Sequence, residues 1–179
     1  AAAQLMSVLR AVDARASMDE VLDLLKQTPA WSEAQVQLLE QLARELGVSR
    51  WRAAVQHARL APAIPPELPT WIESLQAARP LTVWLGDLAL ALKACGLWSS
   101  FEADPAGQQL LQVLRLGEGA AMELAGVAQA VDASARTGTR MPLSTFTAWV
   151  RDVLESASFK PRSEGEEAGV VLPMEQLLG

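Results

Sequence analysis

The stretch Ala168–Gly179, AGVVLPMEQLLG, differs in kind from the rest of the chain and decides the fold that we expect. A glycine opens a short apolar run with adjacent valines, and Pro173 closes it, which is typical of a buried strand. A lone strand leaves its backbone N–H and C=O groups without partners, so it requires a sheet. Because the preceding sequence is helical in pattern almost throughout, we expect that sheet to belong to a neighbouring domain and this chain to be a piece of a larger protein.

The residues before this stretch predict an all-α protein. Half of the 179 residues are hydrophobic, with Tyr absent and only three Phe. Ala and Leu dominate, and both are good helix formers. The predicted organisation is a multi-helix accessory domain over residues 1–160, followed by a linker and the truncated start of the adjoining sheet domain over residues 161–179.

Helix boundaries are predicted from caps, glycines and prolines. Capping boxes begin at Ser17 and Ser32, and Asp104 precedes a proline at the first helical position. Four prolines within 61–69 predict an extended surface connection there. The predicted helices cover residues 4–15, 18–27, Ser32 to Gly47, 50–60, 70–78 (begun by a capping box at Thr70), 80–95, 105–116, 120–135 and a last helix capped by Ser144.

The segment 80–95 is apolar on nearly all sides, so it predicts a central buried helix. Asp87 and Lys93 interrupt it, and a membrane span needs about 20 apolar residues with few charges. We therefore expect no membrane segment. Cys95, the only cysteine, ends this run and excludes an internal disulfide, which favours a buried thiol and a reduced, cytoplasmic setting.

Tryptophan is frequent, with six residues in the chain. Trp84 and Trp149 lie on apolar stripes and are predicted to be core residues. The others lie near helix ends, where a Trp packs on one side and leaves its N–H in water; the alternative is stacking on nucleic-acid bases. These four are Trp31, Trp51, Trp71 and Trp98.

Four phrases stand in order along the chain: Met18–Pro29 (MDEVLDLLKQTP), Leu39–Val48 (LEQLARELGV, with Trp51 after it), Pro142–Trp149 (PLSTFTAW) and Gly169–Gly179. Together they resemble AddB/RexB-type helicase–nuclease subunits of the UvrD/RecB-like helicase superfamily. The first two phrases are similar to two helices of that family. The third resembles the helix before its final strand, and the fourth resembles the segment that leads into the following strand.

The resemblance implies a helical region like the 2B subdomain inserted in the second motor domain of UvrD-type helicases. The parent would take part in double-strand break processing, with DNA and a partner helicase–nuclease subunit as its partners. ATP and Mg²⁺ would bind elsewhere in the parent, and its nuclease would lie downstream. Leu178 stands where the related helicases have the Lys of a Lys-Gly pair, which agrees with degenerate motor motifs. The alternative is a free-standing helical protein–protein interaction module whose terminal strand joins a partner's sheet.

Sequence motifs for catalysis are missing. The chain has no Gly-x-x-x-x-Gly-Lys-Ser/Thr phosphate loop, so ATP cannot bind in the usual way. With one His and one Cys, a His/Cys metal site is excluded. His57 is interpreted as a solvated helix-face residue. We expect no enzyme activity and no cofactor in this region.

The best basic patch consists of Arg50, Arg52 and Arg59, and these are the predicted nucleic-acid-binding residues. Arg52 and Arg59 are seven residues apart and would share a helix face, where guanidinium forks can meet phosphates. The alternative is a solvated surface balanced by Glu40 and Glu45. The net charge of −6 argues against DNA binding by the chain as a whole.

Overall fold

A computed structural model describes residues 1–117 and 139–157, and this part of the chain is all-α, as predicted. Its β-type pairings are two isolated bridges, Ser17–Arg50 and Arg79–Met141. The predicted terminal strand, the linker and the predicted helix over 120–135 lie outside the described residues. The α-helices are α1 (Ala2–Ala11), α2 (Met18–Gln27), α3 (Glu33–Glu45), α4 (Trp51–Gln56), α5 (Glu67–Ser74), α6 (Leu81–Ala94), α7 (Leu97–Ala103), α8 (Pro105–Val113) and α9 (Leu143–Ser156).

One hydrophobic core runs through these helices. In the first half, α1 packs on α2, which packs in turn on α3 and α4. In the second half, α6, α7 and α8 follow one another closely, and α9 closes the arrangement against α1 and α8. Leu5, Leu24, Leu92, Phe101 and Phe146 are almost completely buried, so every part of the fold contributes to the same interior.

The predicted helix starts at Ser17, Ser32 and Asp104 are confirmed. The Ser17 hydroxyl accepts the N–H of Glu20 at 3.1 Å, while the Glu20 carboxylate accepts the N–H of Ser17 at 2.8 Å. Ser32 forms the same reciprocal pair, and Asp104 accepts the N–H of Gly107 at 3.1 Å. These bonds satisfy donors that the first turn of a helix leaves free.

The start predicted at Ser144 is wrong. Pro142 occupies the N-cap position of α9, and Leu143 is its first helical residue. The sequence offered a serine with a side-chain oxygen suited to capping. Proline, however, has a fixed φ and no N–H, so it is also compatible with the residues that begin a helix.

The segment 61–69 is neither extended nor wholly on the surface, contrary to the prediction. Ala61–Ala63 forms a 3₁₀ turn, and α5 begins at Glu67 rather than at Thr70. Leu60, Ile64 and Leu68 are buried, so this connection is part of the core. Its prolines stand in turns or at the start of helices, where a missing N–H costs little. The prediction was based on the prolines alone. It did not take into account that every fourth residue, at positions 60, 64 and 68, is apolar.

Four further helix ends differ from the prediction. α1 ends at Ala11 instead of residue 15, α4 at Gln56 instead of 60, α5 at Ser74 instead of 78, and α8 at Val113 instead of 116. The sequence also gave no prediction for α7, which follows Gly96 directly. Gly96 has φ +72°, a left-handed conformation that glycine adopts without strain, and the chain turns there from α6 into α7.

The prediction of a buried α6 is confirmed for one side of the helix only, because Val83 and Leu90 are exposed on the other side. Trp84, Leu85, Leu88 and Leu92 are all buried along it, and the thiol of Cys95 is buried at its end. No individual helix in the described residues combines the length and hydropathy of a membrane span; α6 and α7 reach them only together, across a bend of 94°.

The burial of the tryptophan side chains agrees only partly with the prediction. Trp84 is a core residue, whereas Trp149 is only half-buried. Trp51 is more enclosed than predicted, with 6% of its surface exposed. Trp98 keeps a partly exposed ring and donates its N–H to the Glu102 carboxylate at 2.7 Å, which is the arrangement expected near a helix end.

Candidate nucleic-acid interface

The three predicted arginines do not form one patch. Arg50 immediately precedes α4, Arg52 lies in its first turn, and Arg59 lies in the turn that follows the helix. Because α4 ends at Gln56, the shared helix face predicted for Arg52 and Arg59 does not exist. All three side chains are exposed. Their role in nucleic-acid binding stays a prediction.

Arg52 lines a cavity of about 300 Å³ that is not suited to an anion. The carboxylates of Asp13 and Glu73 line the same cavity, together with the indole of Trp51. Gln76 also borders it but donates its side-chain N–H groups to the carbonyls of Val12 and Ile72. Two carboxylates against one guanidinium disfavour phosphate at this place.

Arg50 instead lines a different groove, of about 420 Å³, which we call the arginine groove. Its walls come from α1, the turn after α1, the first turn of α2, the residue before α4, and α9. Asp13 borders both this groove and the Arg52 cavity, so the two lie side by side. The polar residues that line the arginine groove are Arg10, Asp13, Arg15, Glu20, Arg50, Ser144, Thr147 and Arg151.

The position of Arg50 in this groove is fixed by backbone pairing. Met18 donates its N–H to the carbonyl of Ser49 at 2.9 Å, and Trp51 donates to Ala16 at 3.2 Å. The Arg50 guanidinium then donates to the carbonyl of Arg15 at 2.8 Å. The turn after α1 and the start of α4 are therefore held together as one wall of the groove.

Sequence reasoning found only one of the four arginines of the groove. Arg10 and Arg15 stand on either side of the end of α1, and Arg151 lies far along the chain on α9. The packing of α9 against α1 brings them together. The sequence shows each of these arginines, but it does not show which of them become neighbours in space.

The alternative in which Glu40 and Glu45 balance the arginine patch is not what the structure shows. Glu40 pairs with Lys26 at 2.8 Å and with Arg44 at 2.5 Å. The hydrogen bond from Lys26 is the main cause that lowers the pKa of the Glu40 carboxyl. Glu45 accepts a hydrogen bond from Gln41 at 2.8 Å. The partners of both carboxylates therefore lie on α3 itself or, for Lys26, on the adjacent α2.

Cys95 and His57 are the two side chains that the sequence offers as a nucleophile or a base. Cys95 is 1% exposed, and burial raises the pKa of its thiol to about 12, so it is a poor nucleophile at neutral pH. His57 is partly exposed, and its Nδ1 accepts the N–H of Arg59 at 3.3 Å. Within residues 1–117 and 139–157, no three His, Cys, Asp or Glu side chains are grouped to hold a metal ion.

A second exposed surface lies on α6. Leu90 is 66% exposed and Val83 is 46% exposed, one behind the other on the same side of the helix. Gly86 lies between them, also exposed, with open space around its Cα. We call Val83, Gly86 and Leu90 the α6 stripe. It is an apolar surface on a helix whose other side forms the core.

Comparison with known proteins found no protein-family model, no curated protein and no solved structure that matches this chain.

Proposed function

We propose that this chain is a non-catalytic helical accessory region of an AddB/RexB-type helicase–nuclease subunit, acting in double-strand break repair and recombination. In this proposal it shapes the DNA path or contacts the partner subunit. ATP and Mg²⁺ bind elsewhere in the parent protein, which works in the cytoplasm. One observation carries the proposal: each of the resembling phrases within the described residues coincides with a helix that packs its apolar side inward.

The coincidence holds phrase by phrase. Met18–Pro29 contains α2, and Leu39–Val48 contains the second half of α3 with its glycine terminator. Pro142–Trp149 contains the start of α9. Leu24, Leu39 and Phe146, one from each phrase, are almost fully buried. Buried residues of this kind determine how the helices pack, so their positions support the resemblance.

The charge distribution also supports a role on a DNA path. The chain as a whole is acidic, yet the arginine groove collects four guanidiniums on one side of the fold. A region whose only role was to separate two domains would not require these like-charged side chains to lie close together.

The second candidate is the free-standing protein–protein interaction module, and the α6 stripe favours it. Exposed Leu90 and Val83 on a helix that is apolar overall are typical of a surface that another helix or sheet covers. In that case the terminal segment 169–179 would add a strand to the partner's sheet. This role requires neither DNA nor a motor domain.

The adjoining coding sequence tests the proposal directly. We expect a phosphate loop or its degenerate remnant upstream, and a strand followed by a Pro-Asp…(Asp/Glu)-x-Lys nuclease pattern downstream. A stop codon immediately after Gly179, with no motor sequence upstream, would overturn the proposal and leave the interaction module.

Purification of the full-length protein together with the proteins bound to it tests the interaction module. Leu90→Asp places a charge in the α6 stripe without disturbing a buried residue, and Leu38→Asp places the same charge at an exposed leucine on α3. A bound protein without helicase or nuclease sequence that is lost in Leu90→Asp but not in Leu38→Asp would favour the interaction module. Retention in both variants would leave the α6 stripe without a role.

A further inference from the structure

We propose that the arginine groove binds the phosphate backbone of DNA, an inference that rests on the proposed function, in which this region lies on the DNA path. Arg10, Arg15, Arg50 and Arg151 are the residues that would contact phosphates. Three of these four are outside the patch predicted from the sequence. The groove is also separate from the Arg52 cavity, where carboxylates outnumber guanidiniums.

The charge balance of the groove favours an anion. Two carboxylates, Asp13 and Glu20, face the four guanidiniums. The Glu20 carboxylate is already used by the N–H and hydroxyl of Ser17, at 2.8 and 3.0 Å. Asp13 pairs with Arg15 at 3.6 Å and accepts its backbone N–H. Two positive charges thus remain in excess in a chain of net charge −6.

Within the described residues, three of the four guanidiniums have no carboxylate partner. Among the described residues, Arg10, Arg50 and Arg151 take part in no ion pair. Arg10 donates to the hydroxyl of Ser7 at 3.2 Å, and Arg50 donates to a backbone carbonyl. Both side chains are therefore partly ordered before any ligand arrives, which lowers the conformational entropy that binding would cost.

The number of donors indicates a polymer of phosphates rather than one small anion. A guanidinium carries five N–H donors, and a terminal phosphate presents three acceptor oxygens. Arginines from four segments of the chain exceed what one phosphate can accept, whereas successive phosphates of a nucleic-acid strand match them. The hydroxyls of Ser144 and Thr147 also border the groove and can donate to phosphate oxygens.

The test is fluorescence anisotropy with the complete chain and a fluorescein-labelled DNA duplex bearing a single-stranded end, titrated at several NaCl concentrations. The groove variant is Arg10→Gln with Arg151→Gln, since both side chains lie exposed on helices. The matched control is Arg115→Gln with Arg140→Gln, which removes the same charge from exposed positions outside the groove. Circular dichroism and thermal unfolding establish that both variants fold.

For the groove variant, we expect the slope of log Kd against log salt to fall by about 1.8, because each lost phosphate contact contributes about 0.9. We also expect Kd to rise about tenfold or more, since hydrogen bonds to charged groups are strong. The control pair should keep the slope of the unchanged chain. Arg10→Lys with Arg151→Lys should retain most of the salt dependence, because lysine still meets phosphate as a point charge.

Equal losses in the groove variant and the control pair would overturn the inference, because net charge alone would then explain binding. Failure of the unchanged chain to bind the duplex at low salt would overturn it as well. Equal competition by poly-glutamate would show that the groove accepts any polyanion, and this too counts against it. None of these outcomes alters the adjoining coding sequence, so failure of the groove is distinguishable from failure of the proposed function.

Discussion

The indole of Trp84 lies almost parallel to the ring of Phe146, with centroids 5.0 Å apart and planes 9° apart. Trp84 belongs to α6 and Phe146 to α9, so this stack joins two helices that are far apart in sequence. The Trp84 N–H donates to the carbonyl of Met141 at 2.9 Å, just before α9. Met141 in turn exchanges both backbone hydrogen bonds with Arg79, just before α6. The two helices therefore begin from a common anchor.

Phe146→Ala should lower the free energy of unfolding by about 3 to 5 kcal/mol, because it removes a fully buried ring and leaves a cavity against Trp84. Urea denaturation followed by circular dichroism measures the change. Trp149→Ala is the comparison, since the Trp149 ring also stacks on Phe146, with centroids 6.0 Å apart, but is only half-buried. An equal or greater loss in Trp149→Ala would contradict the anchoring role of Phe146.

Ser17→Ala should cost about 1 kcal/mol of stability, because the N–H of Glu20 loses its acceptor at the start of α2. Ser144→Ala should be close to neutral, since Pro142 rather than Ser144 occupies the N-cap of α9. The two substitutions remove the same hydroxyl group from the first residues of a helix, and urea midpoints compare them directly. A cost at Ser144 similar to that at Ser17 would show that the cap of α9 is misassigned.

The caps show how far sequence reasoning reaches in this fold. Ser17, Ser32 and Asp104 were predictable because a capping bond joins residues only three apart, although the same kind of signal at Thr70 and Ser144 predicted caps that α5 and α9 do not have. The segment 61–69 was not, because prolines exclude the middle of a helix but do not determine whether leucines beside them are buried. Only the packing of Leu60 and Leu68 into the core decides that, and this packing depends on helices distant in sequence.

The arginine groove shows the same limit for the site. Arg50 was singled out because other arginines lie near it in sequence. Its neighbours in space, Arg10 and Arg151, come from the first and last described helices. No local pattern relates such residues, since their proximity is created by the contact between α1 and α9.

Gly107→Ala should destabilise the protein by about 2 kcal/mol or more, because an added Cβ would lie 2.8 Å from the carbonyl carbon of Phe101 and force backbone apart. Gly86→Ala should instead stabilise it by about 0.5 to 1 kcal/mol. Gly86 lies inside α6 with open space around it, and alanine restricts the unfolded chain. Chemical denaturation of both variants checks the opposite signs; a gain at Gly107 would refute the close contact between α7 and α8.

The burial of Cys95 predicts a loss of stability at alkaline pH. The thiol has a pKa raised by burial from 9.0 to about 12, so between these values the unfolded chain releases a proton that the folded chain keeps. The contribution is complete below pH 9 and is lost as pH rises towards 12. From pH 8 to pH 10 the difference in unfolding free energy between the unchanged chain and Cys95→Ala should shrink by about 1.4 kcal/mol. Urea titrations with a phosphine reductant measure it, and other titrating groups cancel in the difference. A constant difference would mean that water reaches the thiol in the folded state.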